Sequence, residues 1–267
     1  MHPQLREMTE VVIKDFIRQK VEESGASGVV VGLSGGIDSA VVAMLCAGAI
    51  GADKVLTIYM PSAKSLSEDA KDAEELALKF GMRHKVIDIE PAVDGFRSIL
   101  PELRDDKRLL GNCMARCRMA ILYDQAKLAN RLVMGTGNKS ELLIGYFTKF
   151  GDGGADFCPI GDLYKTEVRQ LARKIGVPEK FVQKVPSACL WEGQTDEGEL
   201  GICYDDLDAV LFGIENGMEL EEIARRNMIP DDKVLMVWKL HIGSIHKRKT
   251  PLIPKVGMRT IGLDWRE

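Results

Sequence analysis

GVVVGLSGGIDSAVVAMLCAGAI, residues 28–50, is the stretch on which the fold turns. Its first part, GVVVGL, is a short β-branched run bounded by glycines, the pattern of a strand buried on both faces. Its last part, AVVAMLCAGAI (40–50), is an apolar helix. Between them lie Gly32, Leu33, Ser34, Gly35, Gly36, Ile37, Asp38 and Ser39. Glycines there let backbone N–H groups approach an anion closely, and the following helix aims its positive end at the same point. Ser34 and Ser39 add hydroxyl donors, and Asp38 can hold a cation. The GK[ST] ending of a Walker A loop is absent, and so is GxGxxG. A tight glycine turn with an incidental helix cap is the plainer alternative; the strand–loop–helix setting favours a phosphate site.

Outward from this stretch the same alternation continues. Leu5, Met8, Val12, Ile13, Phe16, Ile17 and Val21 follow helical spacing ahead of it, with Gly25–Gly28 closing the helix. Beyond it come a strand at 54–61, a helix at 68–80 and a strand at 83–89. The spacing Ser65-x-x-Glu68 offers that helix a capping box. Helices at 92–103 and 112–130 precede the strand RLVMGT, 131–136. Such alternation predicts an α/β fold, a three-layer sandwich with a parallel sheet between helices. GYFTKFGDGGADFCPIGDL, 145–163, has neither period and reads as a functional loop, since structureless runs of this length are uncommon. Helices follow at 165–175, 204–216, 219–226 and 231–244, then the basic run His246–Lys249.

The 267 residues are 45% hydrophobic and 28% charged, the composition of a globular chain large enough to bury a core. A formal net charge of −4 gives no global electrostatic case for a nucleic acid or a membrane as partner. No stretch reaches the roughly 18 consecutive apolar residues of a membrane span, and the start lacks a signal peptide's apolar core. Six cysteines in a chain of this length do not form a disulfide framework, so a cytoplasmic location is expected.

SGGIDS resembles the pyrophosphate loop of the N-type ATP pyrophosphatases, which cleave ATP between its α- and β-phosphates. GTGNKSE, 135–141, again ends a strand, where open parallel sheets bind ligands. Asp38 and Glu141 then meet over one pyrophosphate and share Mg²⁺, which takes oxygen ligands. Taken alone, Glu141 reads as a helix-start residue.

Over nearly the whole chain the sequence resembles the ammonia-dependent NAD synthetases. The resemblance is carried, in order and spacing, by SGGIDSA, ARCRM, GTGNKSE, FTKFGDGGAD, LYKTEVRQLA, PSACLW, DEGELGICYDDLD and HKRKTP. Two departures stand out. Gly137–Asn138 replace an aspartate–histidine pair common in bacterial members, so that GTGNKSE resembles the archaeal form. Ser187 stands where threonine is common, which keeps the hydroxyl.

The resemblance implies an adenine nucleotide α-hydrolase-like fold and one synthetase domain over 1–267. An ATP pyrophosphatase core at about 25–175 would be followed by a helical part at about 176–267, with no glutaminase domain. It implies ATP-dependent amidation of nicotinic acid adenine dinucleotide (deamido-NAD) by ammonia, through an acyl adenylate, to NAD, AMP and pyrophosphate. Gly32–Ser39, Thr136, Lys165 and Ser187 would contact ATP, with Asp38 and Glu141 as magnesium ligands. Arg116, Lys149, Asp156, His246 and Lys247 would contact deamido-NAD. The family's homodimers imply a second copy as partner, with substrate near the subunit interface, and a separate glutaminase protein stays open as an ammonia source. Our own chemical reading adds Asp156 as the group that takes a proton from ammonium.

Two other readings stay open. Cys113 and Cys117, four apart on one helix, would suit a tRNA-thiolating pyrophosphatase, although small buried core residues explain them more simply. A nucleotide-binding module without catalysis would leave Lys149, Asp156 and Lys165 without a purpose.

Overall fold

In the computed structural model of the protein, residues 2–62, 67–187 and 195–261 are described. Four parallel strands form one sheet: β1 (Gly28–Gly32), β2 (Val55–Tyr59), β3 (Arg83–Val86) and β4 (Arg131–Met134), in the order β3-β2-β1-β4. Val30 lies opposite both Leu56 on β2 and Val133 on β4. β1 and β2 are buried throughout or nearly so, as their uninterrupted apolar runs require.

The two faces follow from the two-residue period of a strand. Val29 and Val31 enter one core with α1 (Thr9–Ser24), α2 (Ile37–Ile50), α3 (Ser67–Lys79), α7 (Lys165–Lys174) and α8 (Glu179–Gln183). Val30, Leu56, Ile58 and Val133 enter the other with α4 (Glu90–Ile99) and α5 (Lys107–Leu128). This is the expected three-layer α/β sandwich. A third apolar cluster lies away from the sheet. It joins α6 (Lys139–Ile144) to α10 (Tyr204–Glu215), α11 (Leu220–Asn227) and α12 (Asp231–Gly243), preceded by the short α9 (Asp196–Leu200).

Strand order fixes where a ligand can bind. The chain steps from β1 to β2 to β3 in one direction, and β4 then adds on the other side of β1. Loops leaving β1 and β4 therefore diverge, and a crevice opens between their carboxyl ends.

Several expected boundaries move, each for a local reason. The helix predicted at 92–103 is two elements, α4 and a 3₁₀ turn at Pro101–Arg104, because proline cannot continue the ladder. α5 begins five residues earlier than predicted, where Asp106 accepts from the backbone N–H groups of Arg108 (2.8 Å) and Leu109 (3.0 Å). α6, α8 and α9 were not predicted, being too short to show a period. The capping box expected from Ser65 lies outside the described residues. α1 begins at Thr9 rather than near Leu5, and it turns Ile13, Ile17 and Val21 inward. Met8 and Val12, counted on the same apolar face, are 58% and 63% exposed.

That register makes a testable distinction. Ile17→Ala opens a cavity in a fully buried site and is expected to cost about 2–5 kcal/mol, lowering Tm by several degrees. Val12→Ala should stay within about 0.5 kcal/mol of the parent. Equal losses in thermal unfolding would mean that the helix presents a different face.

Candidate active site at the carboxyl ends of β1 and β4

The crevice is a cavity of about 620 Å³ lined by the loop after β1, the loop after β4, the first turn of α7 and one side of α5. Its floor is the SGGIDS loop. Gly35 has φ +82°, and a Cβ there would stand 2.8 Å from the Asp69 carbonyl oxygen, so only glycine fits. The Ser34 and Ser39 hydroxyls face each other at 3.1 Å, and Ser39 Oγ also receives the Ser34 N–H at 3.2 Å. Gly36 caps α2 without a side-chain acceptor, which leaves the first-turn N–H groups of that helix aimed at the cavity. Beneath the loop Lys184 donates to the Gly35 carbonyl (3.1 Å) and pairs with Asp69 (2.5 Å) and Asp72 (3.0 Å).

At the centre stands Lys165, 2% exposed. Its ammonium lies 2.5 Å from Asp38 Oδ2 and 3.4 Å from Glu141 Oε1. Burial alone would lower its pKa, but the two carboxylates overcome that and hold the ammonium above the ordinary lysine value. Glu141 has the opposite balance: burial pushes its carboxyl up to about 8 against the pull of Lys165. Asn138 ties the acids together. Its side-chain amide donates to Asp38 Oδ1 (3.1 Å), its carbonyl caps α6, and its backbone N–H donates to Glu141 Oε2 (3.2 Å).

A further acid, Asp196, closes one wall. It receives the Tyr204 hydroxyl at 3.0 Å, and the Tyr146 hydroxyl stands 3.3 Å away while donating to Glu199 at 2.6 Å. Burial raises Asp196, and burial first, then the neighbouring carboxylates, raises both tyrosines, so their hydroxyls remain donors. Tyr204 also presents its ring to the Lys165 ammonium at 4.9 Å. The hard oxygens of Asp38 and Glu141, converging on one cation and facing the phosphate loop, are a donor set that fits Mg²⁺. Among the described residues no group of three or more His, Cys, Asp or Glu forms a metal cage.

Of the residues singled out in the sequence, Gly32–Ser34, Gly36–Ser39, Thr136, Glu141, Lys165, Ser187 and Lys247 line this cavity. Gly35 shapes its floor from beneath. Arg116, Lys149, Asp156 and His246 do not line it; Arg116, Lys149 and His246 form a line on the adjoining surface. Arg116 Nη2 reaches the Lys149 carbonyl at 3.4 Å, and Lys149 Nζ donates to the His246 carbonyl at 2.9 Å. Lys247 donates to the carbonyls of Gly145 and Phe147, both at 2.7 Å, and so anchors the 145–163 loop. Asp156 sits at the sheet edge, where Met134 and Phe157 form a parallel bridge. Its Oδ2 accepts the Val133 N–H at 2.7 Å, and Tyr123 stands 3.4 Å from Oδ1.

Sequence reasoning gave no role to Asn138, Asp196, Tyr204, Lys184 or Asp208. Only Asn138 left a local signal, the capping-box spacing Asn138-x-x-Glu141. Cys113 and Cys117 are buried and unbonded in the core under α5, with the Cys117 thiol pushed up to about 11 by burial and by Cys113. Their place is that of small residues in the apolar core between α5 and the sheet. Among the described residues no helix is long and apolar enough to cross a membrane.

With this geometry in hand, relatives can be placed. The NAD synthase family model matches residues 9–251. The NH(3)-dependent NAD(+) synthetase of Pyrococcus horikoshii is 50% identical over 91% of this chain and 92% of its own length. Among solved structures, NMN synthetase from Francisella tularensis superposes with a TM-score of 0.81 at 35% identity, covering 93% of this chain and 98% of that one. The NH3-dependent NAD synthetase from Campylobacter jejuni, in complex with nitrate, gives 0.77 at 34% over the same shares. This chain belongs to the NAD synthase family.

A thiol raised to about 11 is a thiolate in only about one molecule in a thousand at pH 8. Cys117 should therefore resist iodoacetamide in the native protein, Cys113 should resist it because it is buried, and both should react once the chain is unfolded. Rapid native labelling of either, read by mass spectrometry, would contradict the buried assignment.

Proposed function

We propose that this member of the NAD synthase family amidates deamido-NAD with ammonia, consuming ATP and releasing AMP and pyrophosphate. The observation that carries the reading is the Lys165 ammonium held between Asp38 and Glu141 above the open end of α2. It is supported by relatives that bear this activity in their names and match over nine-tenths of their own length.

A carboxylate resists an amine because it is anionic and has no good leaving group. In this reading the nicotinate carboxylate attacks the α-phosphorus of ATP, the α–β phosphoanhydride bond breaks, and pyrophosphate departs to leave an acyl adenylate. First-turn N–H groups of α2 and the Ser34 and Ser39 hydroxyls receive the departing oxygens. Lys165 offsets their charge, and its position is set before substrate arrives. Mg²⁺, held by Asp38 and Glu141, would supply further neutralisation of the pyrophosphate oxygens. Thr136 and Ser187 offer hydroxyls to the rest of ATP from two other sides of the cavity. Ammonia then attacks the activated carbonyl, and AMP leaves.

Arg116, Lys149 and His246, lined up outside the cavity, give the dinucleotide's diphosphate a cationic track. A second copy of the chain, as a homodimer, would enclose that exposed track. Asp156 is our choice for the proton acceptor that converts ammonium to ammonia. The structural likeness to an NMN synthetase favours one specific second reading, in which the acceptor is the mononucleotide, nicotinic acid mononucleotide.

Pyrophosphate release from ATP should require Mg²⁺, ammonium and deamido-NAD together. Replacing deamido-NAD by the mononucleotide decides between the two acceptors, and tRNA should have no effect. Release that ignores both nicotinate nucleotides would sink the amidation reading. Asp156→Asn should lose most activity at low ammonium and neutral pH, and recover as rising pH supplies free ammonia. Full activity of that variant under the first condition would remove Asp156 as base.

A further inference from the structure

We propose that Asp208 is a positioning residue for this reaction, a buried carboxylate on α10 that locks the helix carrying Lys165 to the helix carrying Glu141. The inference rests on the amidation reading for its consequence, though not for its geometry.

Asp208 is fully buried and does not line the cavity. Its Oδ1 receives the Ser140 hydroxyl, and its Oδ2 receives both the backbone N–H and the hydroxyl of Thr166, each at 2.8 Å. Ser140 Oγ in turn accepts the backbone N–H of Lys165 at 2.9 Å. Ser140 precedes Glu141 on α6, and Thr166 follows Lys165 on α7. The first two N–H groups of α7, which have no partner within their own helix, are thus satisfied by α6 and α10. One side chain thereby fixes where α7 starts, and with it where the Lys165 side chain leaves the backbone.

The chemistry requires a carboxylate at this place. All three groups that face Asp208 directly are donors: one hydroxyl on Oδ1, one N–H and one hydroxyl on Oδ2. Asparagine has the same shape but must turn its NH₂ toward one side, where a group that donates to the carboxylate would have to accept instead and leave its own hydrogen without this partner. A role in filling space would survive that exchange, whereas a role as double acceptor would not. The carboxylate also sits at the positive end of α7, which favours its charge. Burial pushes the group up, and the Ser140 and Thr166 donors oppose that push.

The experiment measures MgATP binding by calorimetry, kcat, and thermal unfolding for Asp208→Asn, with Val210→Ala as comparison. Val210 is a fully buried neighbour on α10 in the third apolar cluster. Removing a partner that orients a ligating or catalytic group typically costs about 10- to 100-fold. We expect Asp208→Asn to bind MgATP at least about 10-fold more weakly and to lose kcat on a similar scale. Val210→Ala, with a comparable fall in Tm, should bind MgATP like the parent. Asp208→Asn within about twofold of the parent in both readouts would overturn the proposal. So would an equal loss in Val210→Ala, since the effect would then be one of stability. If Asp208→Asn does not fold, Ser140→Ala keeps the carboxylate but removes both the donor to Asp208 Oδ1 and the acceptor of the Lys165 N–H, and should weaken MgATP in the same way; unchanged binding there overturns the idea. A parent protein that binds MgATP but shows no nicotinate-dependent pyrophosphate release defeats the amidation reading only, and MgATP binding still decides Asp208.

Discussion

The site depends on one buried ammonium. Lys165 is 2% exposed, and taking such a charge out of water is tolerable only if opposite charge is already in place. Asp38 comes from the start of α2 and Glu141 from α6, while Lys165 itself opens α7. The ion cluster therefore ties together three helices separated by long stretches of sequence. Their convergence favours this arrangement of the loops, because withdrawing Asp38 would leave the buried ammonium without its nearest counter-charge. It also explains the capping box of Asn138 and Glu141, in which a helix start and an acid's orientation are set by the same side chain.

The sheet makes that convergence possible. β1 delivers the phosphate loop and β4 delivers Asn138 and Glu141, as adjacent strands whose following chains diverge. The third apolar cluster supplies what the sheet cannot. It carries the Tyr204 ring against the Lys165 ammonium, and Asp208 behind the first turn of α7. The C-terminal helices are thus a buttress for the buried lysine as well as a small core of their own.

How much was legible in the sequence follows from range. SGGIDS lies between a strand and a helix and acts through its own backbone, so contiguous residues sufficed to read it. β1 and β2 are legible because burial on both faces demands continuous apolar runs, whereas β3, RHKV, is largely exposed and is legible only from the alternation of strands and helices around it. Asp38 and Glu141 could be paired because both stand at strand ends. Asp196, Tyr204 and Asp208 were not legible, because each acts on a residue tens of positions away. A carboxylate near a helix start looks the same in sequence whether it meets solvent or a buried donor. The Met8 and Val12 error has the same origin: spacing identifies a helix face but not how wide a stripe the neighbours will cover.

The two halves of the site differ in how they are held, and the difference bears on what each does. Groups around the phosphate loop sit on helix starts and strand ends, with both partners of most contacts being fixed side chains. Arg116, Lys149 and His246 are linked only through backbone carbonyls across an exposed surface. Cleaving ATP requires charge placed in advance, since reorganisation at the moment of reaction would raise the barrier. Gripping an anionic dinucleotide requires only that cations be near, because side chains can turn toward phosphates as they arrive. Under the proposed amidation the rigid half would carry the cleavage of ATP. Choice between nicotinate nucleotides would then fall to the exposed half, where a change of one basic side chain leaves the buried ammonium undisturbed.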